Sequence, residues 1–245
     1  MPRWFNTAGP CQPDKNYTLP SSERLPSLER LIDQEGYFVI HAPRQTGKTT
    51  AMLALAQQLT AQGQYAAVMV SAEVGAAYAQ EPEKAEQAML SAWYDAATFW
   101  LPKSLHPPDW TECKSVGRAL RLWSESCPRP VVLFIDEIDA LQDDALISVL
   151  RQLRDGYSRR PNGFPHALAL IGLRDVRDYK VAAGGSHRLG TASPFNIKVK
   201  SLTLRNFSEA EVNRLYQQHT SETGQTFSDG AIQQAFYLSQ GQPWL

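Results

Sequence analysis

Short apolar runs alternate along this chain with segments of helical periodicity, and this alternation restricts the fold more than any other feature of the sequence. The five runs that read as strands cover residues 37–42, 65–73, 131–136, 167–173 and 195–204. Parallel strands need crossover connections, which are usually helical, and strands buried on both faces read as nearly continuous apolar runs. The pattern therefore predicts an α/β fold in which helices cover both faces of a parallel sheet.

The segments between and after these runs predict the helices and the domain boundaries. Helices are expected over residues 25–34, 48–62, 81–101, 114–126, 143–155, 208–220 and 229–239, and a loop over 181–193. Residues 1–24 are expected to form an extended arm, because prolines recur through the first part of this range. Residues 25–205 would form the core. Residues 206–245 would begin a helical lid that continues in a longer protein, and Ser208 with Glu211 fits a capping box at its start.

Composition restricts function only weakly. The 245 residues are 43% hydrophobic and 20% charged, with a net charge of −1. Such a chain has no overall attraction to nucleic acid or to an anionic membrane, although a local basic patch stays open. The three cysteines, Cys11, Cys113 and Cys127, contain no C-x-x-C pair, so reduced thiols are expected. No apolar run approaches the ~18 residues of a membrane span and no signal peptide is recognisable, which predicts a cytoplasmic protein.

The segment HAPRQTGKTT (41–50) has the ending of a phosphate-binding loop. In such a loop, a strand ends in a tight turn whose backbone N–H groups converge on phosphates, and the next helix adds its partial positive charge. The predicted contacts come from Pro43, Arg44, Gln45, Thr46, Gly47, Lys48, Thr49 and Thr50. Lys48 would contact the β- and γ-phosphates, and the Thr49 hydroxyl would bind Mg²⁺. Ala42 stands where the first glycine of the motif usually stands, and a β-region φ at the strand end would accept its methyl group.

The run VVLFIDEID (131–139) supplies the acidic partner of that loop. It places Asp136 and Glu137 at the carboxyl end of a buried strand, which is the edge where parallel α/β sheets bind their ligands. Asp136 is expected to hold Mg²⁺, directly or through water. Glu137 is expected to orient or deprotonate the attacking water, a contribution of ~10²–10⁴ in rate. A strand ending in solvated acids is the alternative for this run alone, but together with Lys48 it predicts a nucleotide site.

These motifs together resemble those of P-loop NTPases of the AAA+ and STAND type (signal-transduction ATPases with numerous domains) over most of the chain. The resemblance implies a five-stranded parallel sheet in the order 5-1-4-3-2 with a helical lid, and it implies ATP and Mg²⁺ as ligands. Arg174 in GLRDVRDY matches the position of a catalytic sensor residue, although asparagine or threonine is commoner there. GQPWL resembles the Gly-x-Pro motif of such lids, so Pro243 would lie near the adenine. By the same likeness, Tyr17 and Pro20 in NYTLP would line the base pocket.

Other candidate residues carry weaker signals. The absence of a guanine-reading N-K-x-D motif favours ATP over GTP. The arginine finger of AAA+ proteins has no clear counterpart. Arg154, Arg159 and Arg160 lie near where it is expected, and solvated cations at a helix end are the alternative for them. The five histidines show no metal-ligand spacing.

Three functions stay open from the sequence. The first is an ATP-driven switch or scaffold that hydrolyses ATP slowly and acts on a protein partner or a downstream domain. The second is a nucleic-acid-remodelling ATPase of the transposition-helper or initiator type, against which the near-neutral charge argues. The third is a nucleotide binder without turnover, against which Glu137 argues. Oligomerisation on ATP binding is compatible with each of them.

Overall fold

A computed structural model describes residues 3–7, 9–174 and 195–243. Within these ranges, the strands form one five-stranded sheet in which all neighbouring strands are parallel. The strands are β1 (Tyr37–His41), β2 (Ala66–Ser71), β3 (Val131–Asp136), β4 (Ala167–Gly172) and β5 (Lys200–Thr203). Their order in space is β5-β1-β4-β3-β2. The predicted α/β fold and the predicted strand order are therefore confirmed.

Helices connect and cover these strands. They are α1 (Ser21–Arg24), α2 (Leu28–Asp33), α3 (Lys48–Ala61), α4 (Pro82–Trp100), α5 (Val116–Ser126), α6 (Asp143–Gly156), α7 (Glu209–Thr223) and α8 (Asp229–Ser239). Short 3₁₀ segments lie at Glu73–Tyr78, Lys103–Leu105, Ile138–Ala140 and Tyr157–Arg159. In the ranges that the structure describes, no helix combines the length and the apolar content that a membrane span requires.

Two predicted elements differ from the observed ones. The helix predicted over 25–34 begins later, as α2 at Leu28, because Pro26 precedes it, and α1 lies within the arm that the sequence predicts to be extended. Proline lacks a backbone N–H and disfavours helical geometry in the residue before it. The strand predicted over 195–204 is also too long, since β5 covers only its second half. β5 pairs with β1 alone, and edge strands are commonly short. The loop predicted at 181–193 lies outside the described residues.

The sheet separates two hydrophobic cores, because successive side chains of a strand point to opposite faces. On β1, Tyr37 and Val39 belong to the core that α4, α5 and α6 cover, whereas Phe38 and Ile40 belong to the core that α2 and α3 cover. β3 lies between β2 and β4 and is buried along its whole length. Burying one large apolar side chain contributes about 1.5–3 kcal/mol. The two cores thus hold the sheet rigidly and fix the positions of the loops at its edges.

The helices α7 and α8 follow the sheet and bury few side chains. The predicted capping box at the start of α7 is confirmed, since Glu211 N donates to Ser208 Oγ at 3.3 Å and Ser208 N donates to the Glu211 carboxylate at 2.7 Å. Arg205 donates to the same carboxylate and lowers the pKa of Glu211 to about 2. After α8, Gly241 has a φ of 69°, and a Cβ there would lie 1.9 Å from the Phe207 carbonyl oxygen. Only glycine therefore fits this turn.

Candidate functional site

Three loops meet at the carboxyl edge of the sheet. They follow β1, β4 and β3, which are neighbours in the sheet, so the ends of these strands lie side by side. Ala42 N donates to Gly172 O at 3.3 Å and connects the ends of β1 and β4. Leu173 N donates to the Asp139 carboxylate at 3.3 Å and connects the loops after β4 and β3. The edge therefore gathers residues that are far apart in the sequence, as ligand sites of parallel sheets do.

The loop after β1 turns through two residues with positive φ, Gln45 at 62° and Gly47 at 82°. A Cβ at Gly47 would also approach Arg24 Nη1 to 3.3 Å, so glycine suits this position in both conformation and space. Ala42 is buried and does not have a positive φ, in agreement with the expectation for a strand end. Helix α3 starts directly after Gly47, so its N-terminal N–H groups and partial positive charge face the turn.

The other side chains of this loop differ in exposure. Thr46 is buried, and its hydroxyl donates to the Pro43 carbonyl at 3.0 Å. Pro43, Arg44 and Gln45 are exposed. Thr50 lies on α3 and accepts a hydrogen bond from a backbone N–H of the N-terminal arm at 3.1 Å. Thr46 therefore stabilises the turn from inside, and Thr50 connects α3 to the arm.

Lys48 places a cation inside the turn. Its side chain is buried, and Nζ donates to the carbonyl oxygens of Ala42 and Pro43 at 2.8 and 2.9 Å. Burial lowers the pKa of Lys48, and attraction from Asp136 opposes this effect. Since burial disfavours the charged ammonium, an anion placed beside it would be stabilised strongly. The turn thus has the charge and the hydrogen-bond donors that phosphate binding requires.

Thr49 and Asp136 meet beside this turn. Thr49 Oγ1 donates to Asp136 Oδ2 at 2.7 Å, and Glu137 N donates to Asp136 Oδ1 at 3.0 Å. Asp136 is buried, and burial raises its pKa. A hydroxyl and a carboxylate are hard oxygen ligands, so the pair fits Mg²⁺. The described residues contain no group of three or more His, Cys, Asp or Glu arranged for a metal ion. Mg²⁺ usually keeps several waters and binds one or two carboxylates and phosphate oxygens, so water and ligand oxygens would complete its coordination here.

Glu137 occupies an unusual backbone position directly after β3. Its φ is 52°, in the left-handed region, where a residue with a side chain is strained by roughly 1–3 kcal/mol. Such positions cluster at functional sites. Burial raises the pKa of Glu137, and repulsion from Asp136 adds to the effect. A carboxylate with a raised pKa accepts a proton more readily, which is the property that a general base requires.

Arg174 lies two residues beyond the end of β4, at the same edge of the sheet. Its side chain is exposed. The backbone just before it is anchored, because Leu173 N donates to Asp139 of the loop after β3. The fold therefore brings the backbone at Arg174 between the Lys48 loop and Asp136, as the position of β4 requires.

A cavity of about 840 Å³, termed here the lid cavity, opens between the N-terminal arm, α3 and the two C-terminal helices. Tyr17, Pro20 and Pro243, which the sequence predicts around a base, line it together with Gly47 and Thr50. The predicted site residues that do not belong to its wall are Pro43, Arg44, Gln45, Thr46, Lys48, Thr49, Asp136, Glu137 and Arg174. The lid cavity thus meets the phosphate loop at the start of α3. Its volume is in the range of small-molecule sites.

Sequence reasoning missed several residues around this cavity. Its wall includes the aromatic residues Phe5, Phe207 and Tyr216. It also includes Arg24, which is buried and donates to the carbonyl oxygens of Thr46, at 2.8 Å, and Arg205. The Arg24 guanidinium lies 4.5 Å from the centre of the Phe207 ring, and burial lowers the pKa of Arg24 to about 10. Arg24 therefore connects the phosphate loop to the segment that precedes α7. Nothing in its local sequence distinguishes it from Arg30.

The three arginines considered for a finger have different environments. Arg160 stabilises the fold: Nε donates to the Tyr157 carbonyl at 2.6 Å, Nη1 donates to a second backbone carbonyl, and the guanidinium lies over the Tyr157 ring. Arg159 forms an ion pair with Asp155 at 3.0 Å, and Arg154 is exposed. These contacts make Arg160 a structural residue and leave the finger unassigned.

A comparison with family models identifies one match, to a family described as AAA domain, over residues 31–179. This range exceeds half of the chain and contains the loop after β1, the Asp136–Glu137 pair and Arg174. Among curated proteins, none matches this chain.

Several solved structures are similar to this one. The Walker-type ATPase of Pyrococcus abyssi superposes with a TM-score of 0.65 and 14% identity, over 98% of this chain and 68% of that chain. ORC1 of Aeropyrum pernix, solved in complex with DNA, gives 0.57 and 13%, over 93% of this chain and 58% of that one. A RuvB variant of Thermotoga maritima gives 0.50 and 18%, over 91% of this chain and 56% of that one. The chain thus spans little more than half the length of the last two, and identities this low support the fold alone.

Proposed function

Because the chain belongs to the AAA domain family of P-loop ATPases, we propose that it binds ATP with Mg²⁺, hydrolyses it slowly and acts as a nucleotide-dependent switch or scaffold. The observation that carries this proposal is the 2.7 Å contact between Thr49 Oγ1 and Asp136 Oδ2. The two residues are 87 positions apart in the sequence and belong to separate motifs. Their contact, beside the buried Lys48, supports one combined site for a cation and phosphates.

Each residue has a role that its chemistry supports. Lys48 would neutralise charge on the β- and γ-phosphates. Thr49 and Asp136 would hold Mg²⁺, which stabilises the negative charge on the phosphate oxygens when it is bound. Glu137 would accept a proton from the water that attacks the γ-phosphate, while the bond between that phosphate and the ADP leaving group breaks. Arg174 would contact the γ-phosphate from the end of β4.

The lid cavity supports a switch, because its wall comes from separate parts of the chain. Tyr17 and Pro20 belong to the arm, Gly47 to the phosphate loop, and Tyr216 and Pro243 to the C-terminal part. A nucleotide that contacted all of them would favour one position of the lid over others, in proportion to its difference in affinity. The proposed divisions are residues 1–24 for the arm, 25–205 for the core and 206–245 for the start of the lid. A protein partner or a further domain would receive the change in lid position.

A DNA-remodelling ATPase is a second candidate. The similarity to ORC1 of Aeropyrum pernix, solved in complex with DNA, favours it. Phosphate contacts give a steep dependence of affinity on salt. Salt-dependent binding of duplex DNA, strengthened by ATP, would favour this candidate over the switch.

The proposed function is tested by measuring phosphate release and equilibrium nucleotide binding on the same proteins. Glu137→Gln should lower turnover by ~10²-fold or more with little change in ATP affinity, because the amide keeps the shape but cannot accept the proton. Arg174→Ala should leave ADP affinity nearly intact and weaken ATP binding. Glu73→Gln is the control for loss of a negative charge near Glu137, since Glu73 is exposed and its charge raises the pKa of Glu137.

The outcome separates an ATPase from a passive binder. We expect the wild type and Glu73→Gln to release phosphate well above the Glu137→Gln background. Wild-type protein that binds ATP but stays at that background, with or without a partner, would refute the hydrolytic part of the proposal and leave a nucleotide binder.

A further inference from the structure

A second concave site lies between α5 and α6. Arginines dominate its wall: Arg118 and Arg121 on α5, Arg151 on α6, and Arg159 just after α6. This site, termed here the arginine cleft, has a volume of about 470 Å³ and shares no lining residue with the lid cavity. It therefore needs an explanation that is separate from the nucleotide site.

The charge of the arginine cleft is opposite to that of the whole chain. Four arginines and one carboxylate, Asp155, line it, which leaves a local charge of +3 in a chain of net charge −1. Asp155 is already paired with Arg159 at 3.0 Å, and Glu125, which does not line the cleft, pairs with Arg121 at 3.8 Å. Arg118 and Arg151 form no ion pair with the residues that the structure describes. The excess of positive charge is thus a local feature that composition does not explain.

Arg121 has an unused hydrogen-bond donor in this wall. Its Nε is shielded from solvent and has no acceptor in the described part of the chain. Glu125 Oε1, on the same helix, lies 3.8 Å away, which is too far for a hydrogen bond. Shielded donors without acceptors are rare in native proteins, because they lose their hydrogen bonds to water without replacement. The Arg121 side chain as a whole is 42% exposed, so a change of its rotamer would let the guanidinium donate to an anion in the cleft.

Hydrogen bonds fix the two helices that carry these arginines. Gly117 N donates to Gln152 Oε1 at 2.7 Å, and Gln152 Nε2 donates to the buried Glu86 carboxylate at 2.7 Å. Glu86 also accepts a hydrogen bond from Val116 N at 2.9 Å. These contacts join α5 to α6 through α4 and set the distance between the two sides of the cleft. A ligand would therefore bind to a site whose backbone is already in place.

We propose that the arginine cleft binds phosphate groups. A guanidinium offers a planar fork of N–H donors that matches phosphate and carboxylate oxygens. A terminal phosphate group has three acceptor oxygens and about two negative charges near neutral pH, whereas a carboxylate has two oxygens and one charge. Arg118, Arg121 and Arg151 together match the phosphate better. A nucleic-acid strand and free polyphosphate both present this chemistry, and the cleft lies outside the ATP site in either case.

The test compares binding of three phosphate ligands to the whole chain. The ligands are inorganic tripolyphosphate and single-stranded and duplex DNA of about 20 nucleotides per strand. Each is measured with Arg118→Gln, Arg151→Gln and the double variant. Arg154→Gln is the matched control, because Arg154 is an exposed arginine of α6 that does not line the cleft. All proteins carry Lys48→Ala, so that the phosphate loop does not contribute, and their melting temperatures verify folding.

We expect each cleft substitution to weaken binding roughly tenfold, the effect of about 1.4 kcal/mol, and the control to change it less than twofold. With duplex DNA, each lost arginine should also reduce the slope of log affinity against log salt by about 1. Tight binding of DNA would identify a nucleic-acid strand as the source, and tight binding of tripolyphosphate alone would identify free polyphosphate. The proposal is overturned if no phosphate ligand binds, if Arg154→Gln weakens binding as much as the cleft variants, or if a polyglutamate peptide of equal charge binds as tightly.

Discussion

Two buried carboxylates, Glu86 on α4 and Asp136 at the end of β3, have nearly the same exposure, 3% and 4%, but very different surroundings. Glu86 accepts hydrogen bonds from Val116 N at 2.9 Å, Ser148 Oγ at 2.6 Å and Gln152 Nε2 at 2.7 Å, all on α5 or α6. Its donors come from the fixed interior of a three-helix contact. Glu86 is thus held by three donors that belong to the fixed interior of the protein.

Asp136 accepts only two hydrogen bonds in the described structure, from Thr49 Oγ1 and from Glu137 N. It lies at an open edge of the sheet, next to the buried Lys48. Burial raises its pKa, so its ionised form gains from any cation that approaches. The comparison teaches that burial alone does not identify a functional acid. The two acids differ in where their hydrogen-bond donors come from and in whether the carboxylate can still bind a cation.

The largest expected effect is on the structural acid. Glu86→Ala removes the acceptor of three donors at once, and a buried donor without a partner destabilises by about 1–3 kcal/mol. We expect the free energy of unfolding to fall by about 3 kcal/mol, measured by chemical denaturation, while nucleotide affinity of the folded protein stays the same. Glu86→Gln is the control, because its amide oxygen still accepts part of the network. Lost nucleotide affinity at unchanged stability would reverse the roles assigned to the two acids.

A smaller effect is expected for Asp136 at the edge of the sheet. Here the substitution should change ATP affinity and leave stability nearly unchanged. Asp136→Asn should weaken ATP binding about tenfold or more in the presence of Mg²⁺, because the ion loses its carboxylate. Without Mg²⁺ the variant should bind ATP as well as the wild type, and its stability should change little. Titrations with Mg²⁺ and with a chelator check this. Equal losses under both conditions would mean that Asp136 only supports the fold.

These two acids also show what sequence can and cannot reveal. Asp136 is predictable because it ends an apolar run, a local pattern that marks the carboxyl edge of a buried strand. Glu86 lies in an amphipathic helix where glutamate is usually exposed, and its donors are about 30 to 66 positions away. Its burial follows only from the packing of three helices.

The same distinction applies elsewhere in the fold. The strand order could be anticipated from the family resemblance, whereas the break between α1 and α2 depends on the single residue Pro26. The arginine cleft could not be anticipated, because Arg118 and Arg151 are brought together only by the contact between α5 and α6. Arg24 is hidden for the same reason: its partners, Thr46 and Arg205, lie in separate segments. Local sequence patterns thus predict the functional residues at strand ends. The roles of residues such as Arg24 and Arg118 depend on contacts between distant segments, which the sequence alone does not show.

The smallest effect is expected for Ala42→Gly, which restores the usual first glycine of the phosphate loop. Ala42 is buried at the strand end without a positive φ, so its methyl group imposes no backbone strain. We expect nucleotide affinity to change less than tenfold, or ~1.4 kcal/mol. Equilibrium titration with ATP measures it. A larger gain would show that the methyl group obstructs the phosphates.

The central claim is that the edge formed by the loops after β1 and β3 binds Mg²⁺–ATP. The most direct measurement is the stabilisation of the chain by Mg²⁺–ATP, from unfolding curves of the wild type, Lys48→Ala and Lys84→Ala. Lys84 is an exposed lysine of α4 and serves as the control for loss of a positive charge. Ligand at 100 times its dissociation constant should stabilise the wild type and Lys84→Ala by about 2.7 kcal/mol, and Lys48→Ala by almost nothing. A Lys48→Ala protein that is stabilised as much as the wild type would contradict the claim.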